Sequence, residues 1–150
     1  MDFENRIAEV YDYLYKFAYI RLGNREIALD VVQDTMLLAY KNYNTLKNKD
    51  YFKTWITRIL INTINKTIRR ERKYNSTKEI KTDTTIFDQR ELYFLDLINQ
   101  LNHKERDILY LKYMLSYTDK EIAETLKIPV GTVKSKHSRS LKKLKTLLEE

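Results

Sequence analysis

The chain has 150 residues and no cysteine, and 28 Lys and Arg against 21 Asp and Glu give it a formal net charge of +7. The absence of cysteine excludes disulfide frameworks and thiolate zinc sites, and no apolar run reaches the roughly 20 residues that span a bilayer. The acidic, amphipathic start, MDFENRIAEVYDYL, is not typical of a signal peptide. We therefore expect a cytoplasmic protein with an anionic partner and no metal or cofactor.

The scarcity of helix breakers, with two Gly and one Pro, predicts an all-α fold without a sheet. A first amphipathic helix is predicted from Phe3 to Leu22, and Gly23 is expected to end it in a left-handed conformation. Asn24 can cap a second helix that runs to about Tyr43. Its predicted apolar positions are Ala28, Val31, Val32, Thr35, Leu38 and Ala39. Asp30, Gln33 and Asp34 fall together on a different, polar face.

The segment 42–50 is polar and is expected to be a loop. A third helix is predicted from Tyr51 to about Lys73, ending in a basic cluster that also suits the helix dipole. The next stretch, 74–85, is rich in Asn, Ser, Thr, Lys and Asp and predicts a linker. We accordingly expect two small helical domains, 1–73 and 87–150, joined by a polar linker at 74–86.

The second domain should begin with a helix from Phe87 to Gln100, with Leu92, Leu95 and Ile98 inside. Asn102 can cap a further helix, since Glu105 stands at its third position.

The stretch from Thr118 to Leu148 predicts two helices joined by a tight turn. Thr118 and Glu121 form a capping box, and Pro129 ends the first helix. The second helix is expected to bury Val133, Leu141, Leu144 and Leu148, while its other faces are basic. No acidic residue occurs from 127 to 145. One packing stripe on an otherwise basic helix is typical of a DNA-reading helix-turn-helix.

Three segments together resemble the extracytoplasmic-function (ECF) sigma factors. DVVQDTMLLAY resembles the core-polymerase-binding helix, and YFKTWITRILIN with IRRERK resembles the promoter-melting and minus-ten-reading helix. LNHKERDILYLKY and SYTDKEIAETLKIPVGTVKSK resemble the minus-thirty-five-reading domain. The resemblance covers nearly the whole chain in the right order. It implies a bacterial alternative sigma factor that binds core RNA polymerase, recognises promoters and assists DNA melting.

The resemblance also implies site residues. Asp30, Gln33 and Asp34 would bind the basic coiled coil of the polymerase clamp. Opening DNA needs cations and aromatic surfaces for unstacked bases; the loop supplies Lys47 and Lys49, with Tyr51, Phe52 and Trp55 beside them. The implied minus-ten contacts are Lys53, Arg58, Asn62, Arg69, Arg70, Arg72 and Lys73. The implied minus-thirty-five contacts are Thr132, Lys134, Ser135, Lys136, Ser138, Arg139, Lys142 and Lys143.

Some positions depart from the family's pattern. Leu38 stands where Arg is usual, and Lys127 stands where the turn usually has Gly, so a left-handed conformation there would cost about 1 kcal/mol. His137 replaces a residue that is usually apolar, so we expect it to pack. Trp55, by contrast, matches a family position, and we expect it to serve packing first. Ile61 and Lys66 replace a typical Arg and Asp around Asn62. Together these departures suggest a divergent promoter preference.

Two other functions compete with this interpretation. A helix-turn-helix regulator that binds an operator without polymerase would explain 118–148 but not the first domain. A nuclease would use Asp30 and Asp34 as metal ligands, although no third ligand or activated base is evident. Anti-sigma factors are frequent partners in the family, but no sequence feature identifies one for this chain.

Overall fold

A computed structural model describes residues 2–71, 83 and 85–149 of the chain. Every regular element within these ranges is helical, which confirms the predicted all-α class. The chain forms two compact units, Met1–Ser76 and Thr77–Glu150, and each is described by itself. Arg72, Lys73 and most of the predicted linker 74–86 lie outside the described residues.

The first unit is built from three mutually packed helices, α1 (Phe3–Leu22), α2 (Arg25–Asn42) and α3 (Phe52–Glu71). Gly23 ends α1 with φ 66°, and the Asn24 side chain accepts a hydrogen bond from the Ile27 N–H at the start of α2. Both ends match the sequence-based expectation, because capping chemistry is local. The fully buried core side chains include Leu14, Ala18, Val32, Ile56, Leu60 and Ile64.

Polar contacts fix α3 against α1 along its length. The Tyr13 hydroxyl donates to the carbonyl of Lys53 (3.2 Å) and lies 2.9 Å from Thr57 Oγ1. Near the other end, Arg21 Nη2 donates to Asn65 Oδ1 over 3.1 Å. These hydrogen bonds hold the rotation of α3, because each joins a fixed pair of positions on the two helices.

Two short 3₁₀ turns, Tyr43–Thr45 and Lys49–Tyr51, lie between α2 and α3. The segment was expected to be a loop, and these turns give it a defined path.

One prediction for α2 is wrong: Leu38 is exposed, not part of the apolar face. The buried face of α2 runs through Val31, Thr35 and Ala39, and Leu38 lies one residue away from that stripe, about 100° around the helix.

The second unit contains α4 (Gln89–Ile98), α5 (His103–Leu109), α6 (Asp119–Leu126) and α7 (Val130–Glu149). A π-helical turn, Tyr110–Met114, continues α5. The buried side chains of the second unit include Leu95, Ile98, Ile108, Leu111, Ile122 and Val133. The predicted capping boxes at Asn102 and Thr118 are present. A third box, Asp88 with Glu91, starts α4 two residues later than predicted.

The turn before α7 is left-handed. Lys127 has φ 58° and ψ 47°, and its N–H donates to the carbonyl of Ala123. Ile128 N–H donates to the same carbonyl over 3.1 Å, so the end of α6 is closed by backbone hydrogen bonds. A lysine therefore occupies the conformation that glycine adopts without steric cost.

The buried stripe of α7 consists of Val133, Ser140 and Leu144. Two predictions are wrong, because Leu141 and Leu148 are 42% and 67% exposed. Ser140 occupies the core position instead of Leu141. Its hydroxyl donates to the carbonyl of Lys136 over 2.7 Å, so burying it leaves no unsatisfied polar group.

An ion pair between the buried Glu105 and the solvent-exposed Lys143 joins α5 to α7. Glu105, only 5% exposed, accepts a hydrogen bond at Oε2 from Lys143 Nζ over 2.8 Å and at Oε1 from the Asn102 N–H over 3.3 Å. Burial alone raises the pKa of Glu105, but hydrogen bonds from Lys143 and Asn102 outweigh it, so its pKa lies below the ordinary value of 4.5. Glu105 thus caps α5 and holds α7 at once.

Replacing Lys127 by glycine should stabilise the second unit by about 0.5 kcal/mol. The relief of left-handed strain, about 1–2 kcal/mol, exceeds the entropy lost on ordering glycine. The free energy of unfolding from urea titration measures the change. Lys127→Ala is the matched control, since it keeps the Cβ and should give no gain; equal gains for both would contradict the role of the left-handed turn.

The Glu105–Lys143 pair should make stability depend on pH. Because the folded pKa of Glu105 is depressed, its contribution is fully present above 4.5 and is lost as the pH falls through the folded value. Between about pH 6 and about pH 3, the wild type should lose more unfolding free energy than Glu105→Gln. Glu124→Gln, which changes an exposed carboxyl on α6, should follow the wild type. If the unfolding free energies of Glu105→Gln and the wild type changed with pH in parallel, the ion pair would not be the source of the pH dependence.

Candidate polymerase and nucleic-acid interfaces

The outer face of α2 carries the three predicted core-binding side chains. Asp30, Gln33 and Asp34 are all exposed, and their spacing places them on neighbouring turns of one helix face. Towards the C-terminal end of α2 the exposed surface becomes apolar, since Leu37 and Tyr40 are 60% and 64% exposed. Two carboxylates and an amide can accept hydrogen bonds from Arg and Lys, while exposed apolar side chains can add buried area in a complex. Sequence periodicity predicted the first part of this face but not the second.

The structure does not support the alternative in which Asp30 and Asp34 are the metal ligands of a nuclease. Across the described ranges, no group of three His, Cys, Asp or Glu side chains is arranged to hold a metal ion. The two carboxylates therefore have no third protein ligand among those residues. None of the described helices is long and apolar enough to cross a bilayer.

The outer side of α3 brings together some of the predicted minus-ten residues. Arg58, Asn62 and Arg69 are exposed and fall within about 40° of one another around the helix. Arg70 is also exposed, with its Nε 3.8 Å from Glu71 Oε1. A polar side chain flanked by cations on one stripe suits a nucleic-acid strand that runs along the helix. Arg72 and Lys73 lie outside the described residues.

Lys53 lies apart from that stripe. It is roughly 140° around α3 from Arg58, and its Nζ is 5.5 Å from the ring centroid of Tyr13 on α1. Lys53 is exposed, so it can still meet phosphate, but from another side of α3.

An aromatic cluster closes the end of the first unit where α3 begins. The Phe3 ring centroid lies 5.4 Å from Tyr40, 5.1 Å from Tyr43 and 5.9 Å from Phe52, each edge to face. Trp55 is half-buried, with its ring 5.8 Å from Phe52. Packing therefore accounts for one side of Trp55. Tyr51 is 60% exposed and presents an aromatic surface at this end.

Lys49 does not extend from the loop as a free cation. Its Nζ donates to the carbonyls of Tyr43 (2.8 Å) and Leu46 (2.5 Å). The sequence grouped Lys49 with Lys47 because both are loop lysines, but only Lys47 is exposed.

The outward side of α7 carries most of the predicted minus-thirty-five residues. Lys134, Ser135, Ser138, Arg139 and Lys142 are exposed, opposite the buried stripe. Thr132 and Lys136 are half-buried, and Ser135 Oγ donates to the carbonyl of Thr132 over 3.2 Å. Apart from Lys142, the exposed set lies in the N-terminal half of the helix, where a helix-turn-helix protein contacts base edges.

Lys143 differs from the other members of the predicted set. Its ammonium is hydrogen-bonded to Glu105, and together they form an ion pair without net charge. As a DNA contact Lys143 stays a prediction, but its positive charge is already shared with a carboxylate. Sequence spacing could not reveal this, because Glu105 precedes it by 38 residues.

His137 packs, as its sequence position suggested. Its Nε2 lies 2.6 Å from the Tyr113 hydroxyl, and the two ring centroids are 5.7 Å apart. Burial lowers the pKa of His137, and nearby Lys112 lowers it further, against an opposing effect of Asp119. These effects favour the neutral form of the ring, which braces α7 against the π-helical turn.

Comparison with known proteins gives matches over both units. Residues 7–74 match the family model described as sigma-70 region 2, and residues 91–144 match sigma-70, region 4. The chain is 30% identical over 164 residues to "ECF RNA polymerase sigma factor SigW" of Bacillus subtilis, covering 96% of this chain and 88% of that protein. It is 25% identical over 139 residues to "RNA polymerase sigma factor SigV" of the same organism, covering 89% and 83%.

Among solved structures, the chain resembles the sigma factor RpoE from Bartonella quintana, crystallised in complex with the anti-sigma factor NepR. The TM-score is 0.80 at 22% identity, with 99% of this chain and 97% of that chain covered. At this identity the similarity concerns the fold.

Proposed function

The chain belongs to the extracytoplasmic-function (ECF) sigma factors of the sigma-70 family, and we propose that α2 binds core polymerase while α3 and α7 contact the promoter. As an alternative sigma factor, it binds core RNA polymerase, directs it to promoters and assists DNA melting. A regulator that binds an operator without polymerase is not favoured, because region 2 matches almost all of the first unit.

The proposed polymerase-binding surface is the exposed α2 face. The observation that carries it is the exposure of Asp30, Gln33 and Asp34 on a helix whose opposite side is fully packed. Carboxylates on a rigid helix suit a basic partner, because their positions are fixed before binding. Leu37 and Leu38 extend this surface with apolar area that core polymerase would cover.

The proposed promoter contacts divide between the two units. In the first unit, Arg58, Asn62 and Arg69 on α3, with the exposed Tyr51, would contact the opened minus-ten element. In the second unit, the exposed basic side of α7 would enter the major groove of the minus-thirty-five element. Through the family resemblance, we assign the remaining predicted site residues to the same polymerase and promoter contacts. We also propose domain boundaries at 1–73 and 87–150.

The proposed function makes the chain a specificity subunit without catalytic activity of its own, acting in the cytoplasm where the bacterial chromosome lies. Anti-sigma binding is a further part of the proposal, supported by the fold shared with a sigma factor crystallised with such a partner.

Run-off transcription with core polymerase on genomic fragments tests the function as a whole. Discrete transcripts that need both the chain and core polymerase are expected. Binding of duplex DNA by the chain alone, without any chain-dependent transcript, would instead support an operator-binding regulator.

Charge reversal at Asp34 should weaken core binding. Asp34→Lys places a cation against a basic partner, so we expect the dissociation constant to rise about tenfold or more. Titration of labelled chain with core polymerase measures it. Asp12→Lys makes the same charge change at an exposed site on α1 and should leave the affinity unchanged. Equal effects from both variants would mean that net charge, not the α2 face, governs binding.

Arg139→Ala should impair recognition of the upstream promoter element. A bidentate contact from arginine to guanine is worth about 1–3 kcal/mol, so holoenzyme affinity for that promoter should fall about tenfold or more. Lys145→Ala is the matched control on the same helix, exposed and roughly 120° around it from Arg139. Core binding should be unchanged in both variants. A parallel loss of core binding in Arg139→Ala would show that Arg139 acts on the fold.

A further inference from the structure

Two cations hold the loop between α2 and α3: Lys49 within the loop and Arg6 on α1. Lys49, half-buried, turns its ammonium back over its own loop, where Nζ bonds to the carbonyls of Tyr43 and Leu46 and lies 4.1 Å from the Tyr43 ring centroid. Two carbonyl acceptors and a ring face occupy the directions in which this ammonium can interact. The positive charge of Lys49 therefore interacts with groups of the protein itself.

The backbone of the same residue is fixed separately. Arg6 Nη1, from α1, donates to the carbonyl of Lys49 over 2.9 Å. Lys49 is thus held twice, through its side chain within the loop and through its carbonyl to a helix. We call Arg6 and Lys49, with these hydrogen bonds, the loop anchor.

The loop anchor connects directly to the aromatic cluster. Tyr43, whose carbonyl and ring both meet Lys49, also packs its ring against Phe3 and Phe52. Phe52 begins α3 and is buried, whereas the preceding Tyr51 is exposed. The conformation of the loop therefore determines where Tyr51 and the first turn of α3 present their surfaces.

From this geometry we infer that Arg6 and Lys49 are positioning residues for promoter opening, which hold segment 43–51 in the form that receives the unwound minus-ten strand. Neither side chain contacts the DNA. A loop ordered before binding does not lose conformational entropy when the strand arrives. The inference rests on the proposed function, since it needs this loop to face the opened promoter.

Lys47 provides an internal comparison, because it lies on the same loop and is exposed. The salt dependence of binding is the slope of the logarithm of the affinity against the logarithm of the salt concentration. Removing a lysine that neutralises a phosphate lowers the magnitude of this slope by about 0.7 for a single strand. Removing a lysine that only shapes the loop lowers affinity without changing that slope. The two roles therefore give different signatures.

The experiment uses holoenzyme assembled from the full chain and core polymerase. The probe is the single-stranded non-template strand of a promoter recovered by run-off transcription, and its affinity is measured over a range of salt concentrations. Lys49→Met should bind about tenfold more weakly with an unchanged salt slope. Lys47→Met should show the reduced slope. Core affinity should equal that of the wild type in both variants.

Two further variants separate positioning from folding. Lys49→Arg can still donate to two carbonyls and should recover most of the affinity that Lys49→Met loses. Arg6→Met removes the other half of the loop anchor and should reproduce the Lys49→Met result, again at an unchanged salt slope.

Three results would overturn the inference: a reduced salt slope in Lys49→Met, wild-type affinity in Lys49→Met, or an equal loss of core affinity. The first would make Lys49 a phosphate contact, and the last would make it a residue of general stability. If the wild-type chain yields no chain-dependent transcript at all, the proposed function fails, which is a separate outcome.

Discussion

The rotation of α7 about its own axis is set by three buried side chains, Val133, Ser140 and Leu144. A helix that offers one stripe to its neighbours must present the rest to solvent, so this stripe also selects which side chains can meet DNA. The Glu105–Lys143 ion pair and the Tyr113–His137 hydrogen bond act on the same rotation from two other elements. Recognition by the second unit therefore depends on packing that lies on the side away from the DNA.

The first unit divides its helices between packing and recognition in a similar way. The buried side of α3 is fixed by Ile56, Leu60 and Ile64, and by the hydrogen bonds that Tyr13 makes to it. The opposite side carries Arg58, Asn62 and Arg69. On α2, packing against the other two helices leaves one outward face for a protein partner. On α2 and α3, the side that would meet a partner is therefore opposite a packed side of the same helix.

Local signals in the sequence were enough to predict the helices and many of their ends. Asn24, Asn102 and Thr118 were recognisable caps, because an N-cap side chain bonds to a backbone N–H only three positions further along the chain. The candidate α2 site followed from helical periodicity, which places Asp30, Gln33 and Asp34 on one face without knowledge of the packing. The minus-ten and minus-thirty-five sets came from the family resemblance, and their individual contacts stay predictions.

Features that depend on distant neighbours were not predictable. Leu38, Leu141 and Leu148 were assigned to the core because they are apolar, yet they are exposed in the part of the chain that the structure describes, while the small Ser140 fills a core position. Charge was equally ambiguous for lysine. Lys49 and Lys143 have the same sequence character as Lys47 and Lys142, but carbonyls in one case and a carboxylate in the other bind them within the fold.

The apolar end of the α2 face has a thermodynamic consequence. Leu37, Leu38 and Tyr40 are exposed, and they lie next to one another only when α2 is folded. A partner that covers all three therefore binds the folded first unit in preference to the unfolded chain. By mass action, such a ligand at a hundred times its dissociation constant adds about 2.7 kcal/mol to the stability of the state it binds. Under the proposed function, the folded fraction of the first unit then depends on the concentration of free core polymerase. Chains in excess of polymerase would lack this stabilisation and would be unfolded in a larger fraction.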